Sequence, residues 1–120
     1  MIRILVVDDD RHMRTACARV LTAEGWTVTC AATGEEALRM IRDDSEKIDV
    51  VLVDRLMPGA GGMEVLVEIR ALQPNLPVII MSGSVNEEST AEMIREGACG
   101  CLAKPFTPDQ LRDMIKKAVV

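Results

Sequence analysis

Several carboxylates stand at the ends of short apolar runs, where a folded chain would have to compensate their charge. The run "ILVVDDD" ends in Asp8, Asp9 and Asp10, and "VVLVD" ends in Asp54. An ionised carboxylate at the edge of an apolar core costs free energy unless a cation or hydrogen bonds compensate it. Carboxylates brought close together would also repel one another and raise each other's pKa. A hard divalent cation that takes oxygen ligands and keeps several waters, such as Mg²⁺, would resolve that repulsion.

The elements that must position these carboxylates alternate along the chain. Apolar β-type runs, each followed by a stretch with helical spacing, span residues 2–7, 26–31, 50–53, 77–82 and 100–103. Strands that alternate with helices build a parallel sheet with right-handed crossovers. Continuous apolar runs are typical of central strands covered on both faces, whereas Thr27 and Thr29 indicate an edge strand. We therefore predict an α/β fold, a single (βα)5 domain over residues 1–120.

The fourth predicted helix, at residues 87–96, has the weakest apolar face. Only Ala91, Met93 and Ile94 are available there for burial. Since most helical stability in proteins comes from packing of an apolar face, we expect this helix to be the most mobile of the five.

The predicted sheet collects the polar residues at one edge. In an open parallel sheet, ligands bind beyond the carboxyl ends of the strands, where the strand order reverses. In the flavodoxin-like, doubly wound order 2-1-3-4-5, strands 1 and 3 are neighbours, so Asp8, Asp9 and Asp54 would share one crevice. Ser82 ends the fourth strand and Lys104 follows the fifth. Each residue alone is weak evidence for a site, but all of them at strand ends predict a metal-binding polar centre.

The segments "ILVVDDD", "VLVDRLMPGAGG", "MSG" and "LAKPF", in this order, resemble the receiver domain of two-component response regulators. The resemblance covers the whole chain. It implies that Asp54 accepts a phosphoryl group from the phosphohistidine of a sensor histidine kinase or phosphotransfer protein. It implies a phosphoacceptor signalling domain with slow autodephosphorylation rather than an enzyme, and an Mg²⁺ cofactor for which Mn²⁺ can substitute.

The resemblance also implies roles for the surrounding residues. Asp9, Asp54 and the backbone carbonyl of Leu56 correspond to direct Mg²⁺ ligands, and Asp8 acts mainly through water. Ser82 corresponds to the hydroxyl that bonds the phosphoryl oxygen after activation.

A lysine and the peptide bond after it complete the set of residues that the resemblance assigns. Lys104 corresponds to the lysine that offsets the phosphoryl charge. The Lys104–Pro105 bond is expected to be cis, as is usual in the family.

Three residues depart from the family pattern. Cys101 stands where the family usually has Tyr or Phe, whose rotamer reports phosphorylation, so an aromatic switch is not expected here. Gly61 replaces a common aspartate, which predicts a looser loop. Arg55 directly follows Asp54 where apolar residues are commoner. We interpret it as an exposed arginine paired with a nearby acid; shielding the phosphate or docking a partner is the alternative.

The four cysteines are interpreted as reduced thiols in a small-residue, buried role. Cys99 and Cys101 form a C-x-C, but no second cysteine pair is near them in sequence to complete a metal site. The single histidine, His12, is predicted to be a solvated side chain in the first helical turn.

Two other functions compete with the phosphoacceptor hypothesis. Asp8 and Asp10 resemble the D-x-D signature of haloacid-dehalogenase-type phosphatases, with Asp8 as nucleophile, although His12 stands where Thr or Val is usual. Alternatively, Asp10 only caps the first helix. A degenerate receiver that acts as a binding module without phosphorylation is the second competitor.

The net charge and the lengths of the apolar runs limit the classes of partner that we expect for this chain. The net charge of −5 and pI near 4.9 argue against direct nucleic-acid binding, and no run has the length of a membrane span. The start resembles no signal peptide, so we expect a cytoplasmic protein. The remaining partner hypotheses are an output domain, or a homodimer through the acidic fourth and basic fifth helices.

Overall fold

The computed structural model describes residues 1–43 and 47–119. The prediction of one domain over residues 1–120 therefore includes positions 44–46 and 120, which lie outside the described residues. Strands and helices alternate along the described chain: β1 Arg3–Val7, α1 Arg11–Ala23, β2 Thr27–Ala31, α2 Gly34–Arg42, β3 Val50–Asp54, α3 Gly62–Leu72, β4 Val78–Ser82, α4 Glu87–Arg95, β5 Gly100–Ala103 and α5 Pro108–Ala118.

The strands form one parallel sheet in the order β2-β1-β3-β4-β5, which confirms the predicted flavodoxin-like topology. In register, Val7 of β1 lies beside Val53 of β3, and Asp54 lies beside Met81 of β4. The threonine-containing strand β2 is at one edge, as predicted, and β1, β3 and β4 are interior. The carboxyl ends of β1 and β3 therefore meet at the same edge of the sheet.

The hydrophobic core lies on both faces of the sheet. Along β3, Val51 and Val53 pack with α2 and α3, whereas Val50 and Leu52 pack with α1 and α5. All four are fully buried, and burying an aliphatic side chain of this size contributes about 1.5–3 kcal/mol. These two aliphatic layers fix β3, and with it the residue at its carboxyl end.

The helix α4 buries less than its apolar pattern predicted. Met93 is fully buried, but Ile94 is 48% exposed and Ala91 is exposed. Of the three apolar residues available for burial, Met93 is the one covered, because α4 contacts the edge strand β5, where less of the sheet is available to cover a helix. Within residues 1–43 and 47–119, no helix has the length and apolarity needed to cross a membrane.

Candidate functional site

Three carboxylates meet at the carboxyl edge of β1 and β3. One carboxylate oxygen from each of Asp8, Asp9 and Asp54 lies within 4.8 Å of the other two. Asp54 is 8% exposed and Asp8 only 1%, while Asp9 is exposed. The structure thus brings together the residues that the apolar runs placed at strand ends.

Lys104 reaches this acidic cluster from the loop after β5. Its Nζ lies 2.9 Å from Oδ1 of Asp54 and 3.4 Å from Oδ2 of Asp8, and its backbone N–H donates to the carbonyl of Ser82. Burial acts to lower the pKa of Lys104, but the hydrogen bond to Asp54 and the two carboxylate charges outweigh it and raise the pKa. Lys104 is therefore a fixed positive charge at neutral pH.

Asp8 is a buried carboxylate whose pKa is raised by its surroundings. Burial raises its pKa, the backbone N–H of Asp10 opposes that shift, and the charge of Asp54 adds to it. The Asp10 N–H donates to Oδ1 of Asp8 at 2.9 Å, and Nη1 of Arg14 donates to the Asp8 carbonyl at 2.8 Å. These bonds hold the turn between β1 and α1 in place while leaving the second Asp8 oxygen facing Lys104.

Asp10 caps the amino end of α1. Its Oδ1 accepts from the backbone N–H of His12 at 2.9 Å, which makes it the N-cap of α1. It therefore satisfies an orphan amide of the first turn, as the capping alternative predicted. His12 is exposed in the same turn.

Ser82 ends β4, the strand next to Asp54. Its buried hydroxyl donates to the carbonyl of Ser84 at 3.2 Å and accepts from the Ser84 N–H at 3.1 Å. The same carbonyl accepts from the hydroxyl of Ser89 on α4 at 3.3 Å. Ser82 is thus connected to the beginning of α4 through the loop between them.

The loop after Asp54 depends on a glycine that sequence reasoning missed. A Cβ atom on Gly62 would lie 2.5 Å from the main-chain oxygen of Asp54, closer than real Cβ contacts, and the Gly62 N–H donates to the Arg55 carbonyl. α3 therefore begins directly against the end of β3. Gly61 is the N-cap of α3 without a side-chain hydrogen bond, and the Leu56 side chain is 80% exposed.

Two of the residues that depart from the family pattern, Arg55 and Cys101, contact α4. Nη2 of Arg55 is 3.8 Å from Oε2 of Glu92, which confirms the predicted acidic partner, although Arg55 is half-buried rather than exposed. The Sγ of Cys101 lies 3.5 Å from the Sδ of Met93. The Lys104–Pro105 bond, beyond β5, is cis.

The prediction that the thiols are buried is confirmed for Cys17 and wrong for Cys99, which is exposed, while Cys30 and Cys101 are partly buried. Cys99 directly precedes the edge strand β5, in which Leu102 is buried and Gly100 and Cys101 are partly buried. Cys17 is fully buried on α1, and burial raises the pKa of its thiol to about 11.

The donor set fits a hard cation. Carboxylate oxygens are preferred ligands of Mg²⁺, and opposite ligands at about 2.1 Å from the ion are about 4.2 Å apart. The oxygens of Asp8, Asp9 and Asp54 lie within 4.8 Å of one another, so one hard cation could be held among them, with water as further ligand. Oδ1 of Asp54 is already paired with Lys104, which leaves Oδ2 for other chemistry.

Comparison with known proteins identifies the class to which this arrangement belongs. Residues 4–116 match the family described as the response regulator receiver domain. The chain belongs to this family, and it is a receiver domain of the response-regulator type. The family assignment favours the phosphoacceptor hypothesis over the haloacid-dehalogenase-type phosphatase.

Among curated proteins, the chain is 36% identical over 118 residues to the transcriptional regulatory protein ZraR of Salmonella typhimurium, covering 98% of this chain and 26% of that protein. It is 36% identical over 110 residues to the response regulator MprA of Mycobacterium ulcerans, covering 92% of this chain and 47% of that protein. The chain thus spans about a quarter of the length of the first relative and about half of the second.

Solved structures of similar proteins have the same fold as this chain. The chemotaxis protein CheY4 of Vibrio cholerae superposes with a TM-score of 0.92 at 29% identity, covering 98% of each chain. The receiver domain of NtrX from Brucella abortus superposes with a TM-score of 0.88 at 35% identity, covering 97% of each chain.

Proposed function

We propose that Asp54 accepts a phosphoryl group in an Mg²⁺-dependent reaction, with a phosphohistidine of a sensor histidine kinase or phosphotransfer protein as donor. The observation that carries this proposal is the convergence of Asp8, Asp9 and Asp54 with the ammonium of Lys104, whose Nζ is 2.9 Å from one Asp54 oxygen. Family membership supports the same assignment.

Phosphoryl transfer is catalysed mainly by positioning and charge stabilisation. Asp54 is held at the end of the buried strand β3, and Lys104 occupies its Oδ1, so Oδ2 is the oxygen available for in-line attack. Lys104 is placed to neutralise charge on the transferred group. A bound Mg²⁺ would be held by Asp9, Asp54 and the Leu56 carbonyl, with Asp8 through water, and would supply electrostatic stabilisation of the phosphoryl oxygens.

The response to phosphorylation would pass through Ser82. A phosphoryl oxygen on Asp54 would compete for the Ser82 hydroxyl, which now bonds to Ser84 in the loop before α4. Reorientation of that hydroxyl would release one of the bonds that hold this loop. Ser82→Ala should therefore permit phosphorylation and weaken the structural response.

The output of such a response is proposed from the relatives. The name of ZraR describes a transcriptional regulatory protein much longer than this chain, which supports control of an output domain. A homodimer through α4 and α5 is the second proposal, supported by acidic Glu87 and Glu88 on α4 and basic Lys116 and Lys117 on α5, all exposed.

The test is phosphorylation by acetyl phosphate, followed by intact mass. Wild-type protein with Mg²⁺ should gain one phosphoryl group that hydroxylamine removes, and EDTA should prevent the gain. Asp54→Ala should not be labelled, whereas Asp10→Asn, which alters only the cap of α1, should be labelled normally. Normal labelling of Asp54→Ala together with loss of labelling in Asp8→Ala would replace this proposal with the phosphatase mechanism.

A further inference from the structure

Arg55 connects the residue next to Asp54 with the helix α4. Its backbone N–H donates to the carbonyl of Met81 at 2.9 Å, which fixes its main chain against β4. Its guanidinium lies 3.8 Å from the carboxylate of Glu92, and the Arg55 side chain is 24% exposed. One end of this residue is therefore anchored beside the proposed phosphoacceptor, and the other end is held by α4.

The helix α4 has few anchors that could compete with this ion pair. In the described part of the chain, Met93 is the one residue of α4 that is fully buried, and it contacts the thiol of Cys101. At the amino end, the hydroxyl of Ser89 donates to the Ser84 carbonyl. A helix that buries so little can be shifted by changing one polar contact, because locally weak elements open at low free-energy cost.

The charge on Asp54 is what would change that contact. A phosphoryl group brings about −1.5 to −2 charges and three strong acceptor oxygens, whereas Glu92 offers a single, half-exposed charge. Arginine forms charge-assisted, bidentate hydrogen bonds with phosphate. Asp54 and Arg55 are consecutive residues, with Cα atoms about 3.8 Å apart, so phosphorylation would add this charge to the residue directly before the one that carries the guanidinium.

We propose that Arg55 is a phosphorylation-sensitive latch on α4: it pairs with Glu92 when Asp54 is unmodified, and it leaves Glu92 for the phosphoryl group when Asp54 is phosphorylated. This inference rests on the proposed phosphorylation of Asp54. Such a latch would let phosphorylation of Asp54 move α4 although position 101 carries no large aromatic ring. Cys101, at that position, contacts Met93 of α4.

If Glu92 and the phosphoryl group compete for Arg55, removal of Glu92 must strengthen binding of a phosphoryl mimic, because coupling between two sites is reciprocal. The experiment measures the affinity of the Mg²⁺-loaded protein for beryllofluoride, which mimics a phosphoryl group on aspartate, at low ionic strength. Exposed ion pairs are weak and screened by salt, so we expect Glu92→Gln to bind about 2- to 5-fold more tightly than wild type.

Two comparisons distinguish a latch from a general charge effect. Glu88→Gln removes the same charge from the first turn of the same helix and should change the affinity less than Glu92→Gln. In an Arg55→Gln background, Glu92→Gln should not change the affinity for beryllofluoride, because the guanidinium for which Glu92 competes is absent. Glu92→Asp, which keeps the charge, should restore most of the wild-type affinity.

The amides of α4 give an independent readout. Hydrogen exchange of α4 in wild type should accelerate when beryllofluoride binds, and Glu92→Gln should show that faster exchange beforehand. Equal effects of Glu92→Gln and Glu88→Gln, or an unchanged Glu92 effect in the Arg55→Gln background, would overturn the latch while leaving phosphorylation intact. Failure of wild type to bind beryllofluoride would overturn the proposed function and the latch with it.

Discussion

The ammonium of Lys104 lies 2.9 Å from one oxygen of Asp54 although 50 residues separate them in the chain. The contact exists because β3 and β5 flank β4 in a parallel sheet, so both residues arrive at the same edge. It pairs one Asp54 oxygen with an ammonium and so places a positive charge directly beside the proposed phosphoacceptor.

Lys104→Gln is expected to preserve Mg²⁺ binding while it impairs the structural response to phosphorylation. The ammonium repels a cation in the acidic cluster. Unit charges 4 Å apart interact by about 1 kcal/mol in water and a divalent ion doubles this, so Mg²⁺ should bind unchanged or up to about 30-fold more tightly. The phosphorylation-driven shift of α4 should nevertheless be impaired. Calorimetric titration with Mg²⁺ measures the first effect, and the control is Lys117→Gln at an exposed position of α5. Markedly weaker Mg²⁺ binding would contradict this account of Lys104.

Asp8→Asn is expected to stabilise the metal-free protein at pH 7. Burial raises the pKa of Asp8 in the folded state, so stability falls as the pH rises through that pKa and the group ionises. Asparagine keeps an acceptor for the Asp10 N–H but carries no charge. Urea unfolding in EDTA should show the gain, and Asp113→Asn, at an exposed position of α5, should not. A destabilised Asp8→Asn would mean that the carboxylate is compensated without metal.

Ionisation of the buried Cys17 thiol is expected to lower the free energy of unfolding at alkaline pH. Its pKa is about 11 when folded against a usual 9.0, so the unfolded chain releases the proton first and the free energy of unfolding falls as the pH rises between these values. The decline attributable to Cys17 should be about 2 to 3 kcal/mol, since one pKa unit corresponds to about 1.4 kcal/mol. Denaturant unfolding from pH 8 to 11 measures it. A Cys17→Ala variant with the same pH slope as wild type would show that this thiol is not the cause.

Gly62 is predicted to be the glycine least tolerant of a side chain near the site. Gly62→Ala would place Cβ 2.5 Å from the Asp54 carbonyl oxygen, and overpacking of this kind typically costs about 1–3 kcal/mol. Gly83→Ala meets no atom within 4 Å and should change stability by less than about 0.5 kcal/mol. Thermal unfolding of both variants gives the comparison. Equal stability of the two would show that α3 can move away from β3 freely.

The sheet and the composition of the site could be predicted because both follow from strong local signals. Continuous apolar runs marked β1, β3 and β4 as interior strands, and the abrupt change to Asp8 or Asp54 marked their carboxyl ends. The strand order then placed these residues together. The ordered motifs also allowed the family to be identified before the structure was considered.

Other features could not be predicted because they depend on what covers a residue. Spacing shows that Ile94 shares a helix face with apolar neighbours, but not that α4 packs on an edge strand and leaves it exposed. Spacing likewise does not show that Cys99, beside the edge strand β5, is exposed. The close approach of Gly62 to Asp54 is a tertiary contact that a glycine-rich loop does not reveal by itself.

The most direct test of the central claim is to locate the phosphoryl group in the chain. Protein treated with acetyl phosphate and Mg²⁺ can be reduced with borohydride, which converts an aspartyl phosphate to homoserine, and then digested and sequenced by tandem mass spectrometry. If Asp54 is the phosphoacceptor, homoserine will be found at position 54 and aspartate at positions 8 and 9. Homoserine at position 8, with position 54 unmodified, would contradict this assignment.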